Sequence, residues 1–181
     1  MSLSSAECPT PASSLRLMNA TGRRTDRRWP ATRNRVLQQL ARAAPGARTT
    51  RVRLHRARGV RIGTNVWIGY DALLETGFPG LITIEDNVTV GIRVIVIAHF
   101  RENQGVTIER DAFIGPGVIV LPPVVIGHGA VITAGSVVTR SIPPLTLAQG
   151  NPAVPIANLS VPFSDEMTQA EFYRSLLPLR K

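Results

Sequence analysis

Cut every six residues, the stretch 108–143 reads IERDAF IGPGVI VLPPVV IGHGAV ITAGSV VTRSIP, each block opening on Ile or Val and often continuing with Gly. The same phase runs upstream through IEDNVT VGIRVI VIAHFR (84–101) and IGTNVW IGYDAL LETGFP (62–79), with interruptions at 80–83 and 102–107. A helix would repeat its apolar positions every 3.6 residues and an ordinary half-buried strand would alternate. Short β-branched runs separated by Gly, Asn and Asp at a period of six describe strand, corner, strand, corner, which is the pattern of a parallel β-helix. Three blocks close one triangular coil. One coil cannot bury its own interior, so stacking is required to make a core and to pair each backbone with the next. The first residue of each block points inward. Val66, Ala72, Val88, Val94, Ala112, Val118, Val124, Ala130 and Ser136 are the smaller inward partners, and second-position Gly eases the corner. A sandwich or generic Val-rich sheet would not hold this phase.

Outside the repeat the pattern changes. Residues 1–29 are Ser-, Thr-, Pro- and Arg-rich without periodicity, which predicts a flexible basic segment. Residues 30–48 predict one short amphipathic helix and turn, with Val36, Leu37, Leu40 and Ala44 at helical spacing, Thr32 as cap and Pro45-Gly46 as stop. Such a helix would shield the open edge of the first coil. The coil domain is expected over 49–159, entered irregularly through 49–60, where Val52 and Leu54 alternate. Residues 160–181 predict a helix capped by Ser164, paired through Phe172/Leu176 and Tyr173/Leu177 and ended by Pro178. It would cover the second open end or pack on a neighbouring chain.

Charge divides the chain unevenly. Residues 1–61 hold 14 of the 21 basic residues against Glu7 and Asp26, a balance of +12 that leaves −3 for the remainder of a net +9. These arginines come with neither a reading element nor an aromatic stacking platform, so no specific nucleic-acid partner is expected. The single cysteine, Cys8, permits no intrachain disulfide. No apolar run approaches a membrane span, and no basic flank followed by an apolar core marks a secretory signal. A cytoplasmic protein without membrane association is the expectation.

Among the three histidines, His99 is the candidate for chemistry. It ends VIVIAHF immediately before an interruption, where a loop leaves the regular wall, and Glu102 and Asn103 follow closely. An imidazole there suits a general base oriented by a carboxylate or a backbone oxygen. The alternative is a solvated corner histidine. His128 at the third position of IGHGAV reads more simply as a polar corner residue, and His55 lies in the basic entry. Three ligands and an open position are needed for metal catalysis, and no second histidine flanks His99, so no metal is expected.

The coil pattern, the lone histidine before an excursion loop and above all ITAGSVVTRSIPPLTLAQGNPAVPI resemble the hexapeptide-repeat acyltransferases of the maltose, galactoside and serine O-acetyltransferase type, over roughly residues 58–159. The resemblance implies an all-β fold, a left-handed parallel β-helix with a short N-terminal and a C-terminal helix. It also implies a homotrimer that binds acyl-CoA, acetyl-CoA by default, between adjacent chains. It implies a catalytic role for His99, as base toward a hydroxyl or amine of a small-molecule acceptor; Glu102, read from its place beside His99 in the sequence, is the other expected catalytic residue. Ala134, Gly135 and Ser136 would line the pantetheine arm, and Thr139 and Arg140 would lie near the cofactor's phosphates. The family usually reads ATHP or similar where this chain has IAHF, and His99 arrives about two residues early in its coil. The basic N-terminal region leaves a carrier-protein thioester as a second donor. Two other readings remain, a non-enzymatic β-helix assembly protein and a metal-dependent hydratase of the γ-carbonic-anhydrase type.

Overall fold

The computed structural model describes residues 28–101, 103–164 and 166–179, so Glu102 and nearly all of the segment expected to be flexible lie outside the described residues. Two helices, α1 (Arg28–Ala43) and α2 (Thr50–Arg58), precede the coils. The first coil consists of β1 (Arg61–Ile62), β2 (Trp67–Ile68) and β3 (Leu73–Leu74); the second of β4 (Ile82–Ile84), β5 (Thr89–Val90) and β6 (Ile95–Val96). A hairpin of β7 (His99–Phe100) and β8 (Asn103–Gln104) leaves the wall before the third coil, β9 (Val106–Ile108), β10 (Phe113–Ile114) and β11 (Ile119–Val120). The fourth coil is β12 (Val124–Ile126), β13 (Val131–Ile132) and β14 (Val137–Val138). The tail then forms β15 (Thr146–Gly150), β16 (Ala153–Leu159), α3 (Gln169–Ser175) and β17 (Leu176–Leu177).

The coils stack in register into three faces. The first carries β1-β4-β9-β12, the second β2-β5-β10-β13-β15 and the third β3-β6-β11-β14, all parallel. The six-residue phase is what the core obeys. Ile84, Val90, Val96, Ile108, Ile114, Val120, Ile126, Ile132 and Val138 are all at most 1% exposed, and every expected smaller inward partner is buried beside them. In chain order, the first corner joins the first and second faces, the second joins the second and third, and the third leads into the next coil.

Glycine works differently from the sequence expectation. The left-handed turn falls at the fourth position of the block, where Asn65 (φ +51°), Asn87 (+57°) and Asp111 (+59°) stack at the first corner. Their side chains form a ladder, with Asn65 Nδ2 donating to Asn87 Oδ1 (3.1 Å) and Asn87 Nδ2 to Asp111 Oδ1 (3.0 Å). At the second position what matters is the neighbouring coil. A Cβ on Gly115 would stand 2.6 Å from the Ala134 amide nitrogen and one on Gly91 2.7 Å from the Ile114 oxygen, so these glycines let successive coils approach.

The entry to the coils is helical, which corrects the expectation of a single helix followed by an irregular segment. In α2 the buried positions are Arg51, Val52, His55 and Arg58, a helical spacing carried mostly by polar residues and therefore hidden from a hydrophobicity reading. The same inversion holds in α1, where Asn34, Gln38 and Ala41 are buried while Val36 and Leu40 are 52% and 54% exposed. The reason lies in the open edge beneath. Carbonyls of the first coil have no preceding coil to pair with, and a buried unpaired carbonyl is costly. Gln38 Nε2 donates to Ala72 O (2.9 Å), Arg51 Nη1 to Ile68 O (2.6 Å), and Arg58 Nη2 to Leu74 O (2.9 Å) and Glu75 O (2.7 Å). Arg56 serves Ile62 O (3.1 Å) and Gly63 O. A guanidinium donates without accepting, so it satisfies an edge of carbonyls without offering a new acceptor for another strand. Part of the N-terminal arginine excess is thus an edge seal.

His55 is sealed within this layer, fully buried, its Nδ1 accepting from Arg58 Nη1 at 2.9 Å. Burial first, then the charges of Arg58 and Arg51, push its pKa down to about 3. The unfolded chain takes up a proton near pH 6.5 that the folded chain refuses, so stability falls with pH below 6.5, by about 1.4 kcal/mol per unit until the folded value is reached. Wild type should therefore lose about 2 kcal/mol of unfolding free energy between pH 6.5 and pH 5 through this residue. His55→Asn should have a shallower slope over that interval in denaturant melts. Equal slopes would show that His55 is protonated without penalty.

The C-terminal region also departs from expectation. Helix α3 starts at a capping box, with Glu171 N–H donating to Thr168 Oγ1 (3.3 Å) and Thr168 N–H to Glu171 Oε2 (2.8 Å), and does not start at Ser164. Leu176 and Leu177 are strand residues that pair with Leu159 and Asn158. The segment lies on the outside of the second face, where Phe163 stacks edge-on to Phe113 (4.7 Å) and Phe172 (5.6 Å) above Val131 and Leu147. It covers a side of the stack, and the antiparallel pair β15–β16 closes the last coil.

Candidate active site

His99 sits at the third corner, where the second coil leads into the third. The wall opens there because Ala98 O accepts Gly105 N–H (2.9 Å), which closes the base of a hairpin in which His99 pairs with Gln104 and Phe100 with Asn103. The ring of His99 is half-buried and lies against Phe78, with centroids 4.6 Å apart and planes tilted by 35°. Phe78 comes from the third corner of the preceding coil, where Pro79–Leu81 form a 3-10 turn. Glu75, also at that corner, accepts N–H bonds from Gly77 (2.8 Å, Oε1) and from Ala98 (3.4 Å, Oε2). Phe100 is 61% exposed, and the Arg101 guanidinium stands 5.8 Å from its ring centre.

The other expected site residues divide between two corners. Thr139 and Arg140 are exposed at the third corner of the fourth coil, two coil spacings from His99, or about 10 Å at the usual strand separation. Ala134 and Gly135 are exposed at the second corner, across the third face. Ser136 is turned inward at 1% exposure, its Oγ accepting from Gly150 N–H (3.1 Å) and 3.0 Å from Thr133 Oγ1, so its side chain fastens the tail to the fourth coil. Ala134 also lines an apolar groove of about 560 Å³ with Pro116, Val131, Ile156, Phe172 and Tyr173. His128 stands at the first corner, where its N–H donates to Glu109 Oε2 (2.8 Å), and His55 is in the cap, so the three histidines occupy separate places. Among the described residues no group of three His, Cys, Asp or Glu is arranged to hold a metal, and no helix is long and apolar enough to cross a membrane.

The outward side chains distinguish the faces. The first presents Arg61, Thr83, Thr107 and Val125, and the second is covered over Phe113, Val131 and Leu147 by the chain's own tail. The third presents an aligned column, Leu73, Ile95, Ile119 and Val137, each half-buried, with nothing of the described chain laid over it. Its two borders are the corners that carry His99 and Ala134. Sequence reasoning singled out His99 and did not single out Phe78 or Glu75, which the structure sets beside it; the only signal for them was the interruption of phase that follows.

A stacked hexapeptide coil with a histidine hairpin at one corner defines a β-solenoid. Residues 105–140 match the family described as bacterial transferase hexapeptide (six repeats). An acetyltransferase-like protein of Schizosaccharomyces pombe is 45% identical over 91 aligned residues, covering 44% of each chain. Galactoside O-acetyltransferase of Escherichia coli is 31% identical over 105, covering 51% of each. The chain therefore spans about half the length of the curated relatives it matches. The crystal structure of a hexapeptide-repeat-containing acetyltransferase from Vibrio cholerae superposes with a TM-score of 0.60 at 21% identity, covering 72% of this chain and 91% of that one. The same protein in complex with acetyl coenzyme A gives 0.59 at 20% identity, covering 76% and 91%. The repeat of residues 105–140 is thus that of the bacterial transferase hexapeptide family, and the fold is that of the Vibrio cholerae β-solenoid.

Proposed function

We propose that the protein is an acyltransferase that moves an acetyl group from coenzyme A to a hydroxyl or amine of a small acceptor. It works as a homotrimer of left-handed coil stacks joined through their third faces. The observation that carries this reading is the position of the apolar column Leu73–Ile95–Ile119–Val137, uncovered among the described residues, between the two corners that hold the expected site residues. In a cyclic trimer packed on that face, the second corner of one chain meets the third corner of the next, and three equivalent grooves follow. Ala134 and Gly135 then line the donor arm from one side while His99 faces it from the other, and Arg140 is left for the donor's phosphates.

In the reaction, the acceptor oxygen or nitrogen attacks the thioester carbonyl while His99 takes its proton. The carbon–sulfur bond breaks as the tetrahedral adduct collapses, and the imidazolium returns the proton to the departing thiolate. No covalent enzyme intermediate is required, since holding both substrates supplies much of the rate. The acetyl-CoA complex of the Vibrio cholerae relative supports the donor, and the name of the Escherichia coli relative favours a sugar hydroxyl as first acceptor to try. Mixing the protein with acetyl-CoA and a panel of sugars, amino sugars and amino acids should release free thiol only when donor and a suitable acceptor are both present. Absence of thiol release across the panel, with longer acyl-CoAs and acylated carrier protein included, would favour the non-enzymatic assembly reading.

A further inference from the structure

A general base performs best when its ring is held in one orientation, usually by a hydrogen bond from the distant ring nitrogen to a carboxylate or carbonyl. His99 has no such hydrogen bond among the described residues. What touches it is Phe78, 4.6 Å away and 21 positions earlier in the chain. Phe78 is itself 45% exposed, so burial alone does not fix it. Its backbone oxygen accepts Leu81 N–H (3.0 Å) in the 3-10 turn, and Pro79 behind it is buried close to Gly59 at the end of α2. Glu75 joins the two loops. One carboxylate oxygen takes the Gly77 amide of the Phe78 loop and the other takes the Ala98 amide, the residue before His99, while the Glu75 backbone oxygen is anchored by buried Arg58. Both carboxylate oxygens are thus committed to the two loops, and none of these contacts is needed to close a coil.

We infer that Phe78 and Glu75 are positioning residues for His99: the phenyl ring sets the plane of the imidazole, and the Glu75 carboxylate clamps the loop that carries Phe78 to the strand that carries His99. The inference rests on the reading of His99 as the base. An aromatic wall does this work without competing for either ring nitrogen, which leaves both free for the acceptor proton and for water. An isolated aromatic contact is worth little in stability, so its removal should be visible in turnover well before it is visible in folding.

The test is a double-mutant cycle on purified protein, read as thiol release from acetyl-CoA. Phe78→Ala should lower kcat about 10-fold, of the order expected when a reacting group is misplaced by a fraction of an ångström. KM for acetyl-CoA should change less than about two-fold, because the donor is held at the other corner. Phe78→Tyr keeps the ring and should restore most of kcat. Glu75→Gln retains one acceptor of two and should fall between Phe78→Ala and wild type. In a His99→Ala background Phe78→Ala should have no further effect, since there is no ring left to position. Multiplicative losses in the double variant, or wild-type kcat in Phe78→Ala, would overturn the positioning role while leaving His99 as base. Wild-type turnover in His99→Ala alone would remove the base reading and the inference with it.

Discussion

Replacing His99 with alanine should lower acyl transfer by roughly 100- to 10,000-fold, the scale on which a general base contributes. The fold should survive the change. His99 lies on a two-residue strand of an excursion hairpin, half-exposed, and its neighbours Ala98 and Gly105 keep their backbone bond whatever the side chain. The core beneath, Val94, Val96 and Ile108, makes no use of the imidazole. Acetyl-CoA binding should be nearly unchanged, because the donor arm is assigned to the Ala134–Gly135 corner. Titration of donor affinity beside turnover separates the outcomes. A variant that binds donor and does not transfer supports the base, whereas one that transfers normally returns His99 to the status of a corner residue.

The second large effect concerns the third face. Ile119→Glu introduces a carboxylate into the middle of the column Leu73–Ile95–Ile119–Val137 on each of three chains. An uncompensated buried charge costs about 3–5 kcal/mol, repeated at every contact of the ring. In a monomer the same side chain reaches water, so the coil stack itself should be little affected. Light scattering should change from about three times 19.6 kDa to a single chain mass. Turnover should fall at least about 100-fold, because donor corner and base are no longer brought together. Thr107→Glu on the polar first face is the control and should leave both readings unchanged. A monomeric Ile119→Glu protein with full turnover would sink the shared site.

The coil core was legible because its periodicity is local. Each of Ile114, Val120 and Ile126 is buried for the same reason, its place in a block of six, and that place is written in the chain around it. Ser136 illustrates the reach of the phase. As a fifth-position residue it belonged inside, and it is inside, although the family resemblance had also assigned it to the donor slot. The cap was illegible because its burial follows from acceptors elsewhere. Gln38, Arg51 and Arg58 are buried to serve carbonyls at Ala72, Ile68 and Leu74, and a hydrophobicity pattern assigns such residues to the surface and Val36 and Leu40 to the core. The C-terminal error has a similar origin. Leu176 and Leu177 fit a helical spacing with Phe172 and Tyr173, but an available edge on β16 took them as a strand. At the site, His99 stood out because it ends a run before an interruption. Phe78 and Glu75 belong to the previous coil, and only stacking brings them to it.

In the proposed trimer the polar and covered faces of the triangular stack would stay outside the contact, and the second and third corners would lie on either side of it. A column of β-branched and Leu side chains across four coils, left uncovered by the described residues of a chain whose tail packs on another face, is the physical basis for proposing a shared site.

The most direct test of that central claim is complementation between two inactive proteins. His99→Ala lacks the base but keeps its donor corner; Ala134→Trp keeps the base and blocks the donor corner with an exposed bulky ring. Each alone should form trimers without turnover. Dissociated, mixed in equal amounts and reassembled, they should recover about a quarter of wild-type turnover, since one interface in four then pairs an intact His99 with an intact Ala134 corner from the neighbouring chain. Hybrid trimers that form, as tagged-chain co-purification would show, and yet stay inactive would place base and donor corner within one chain and contradict the account.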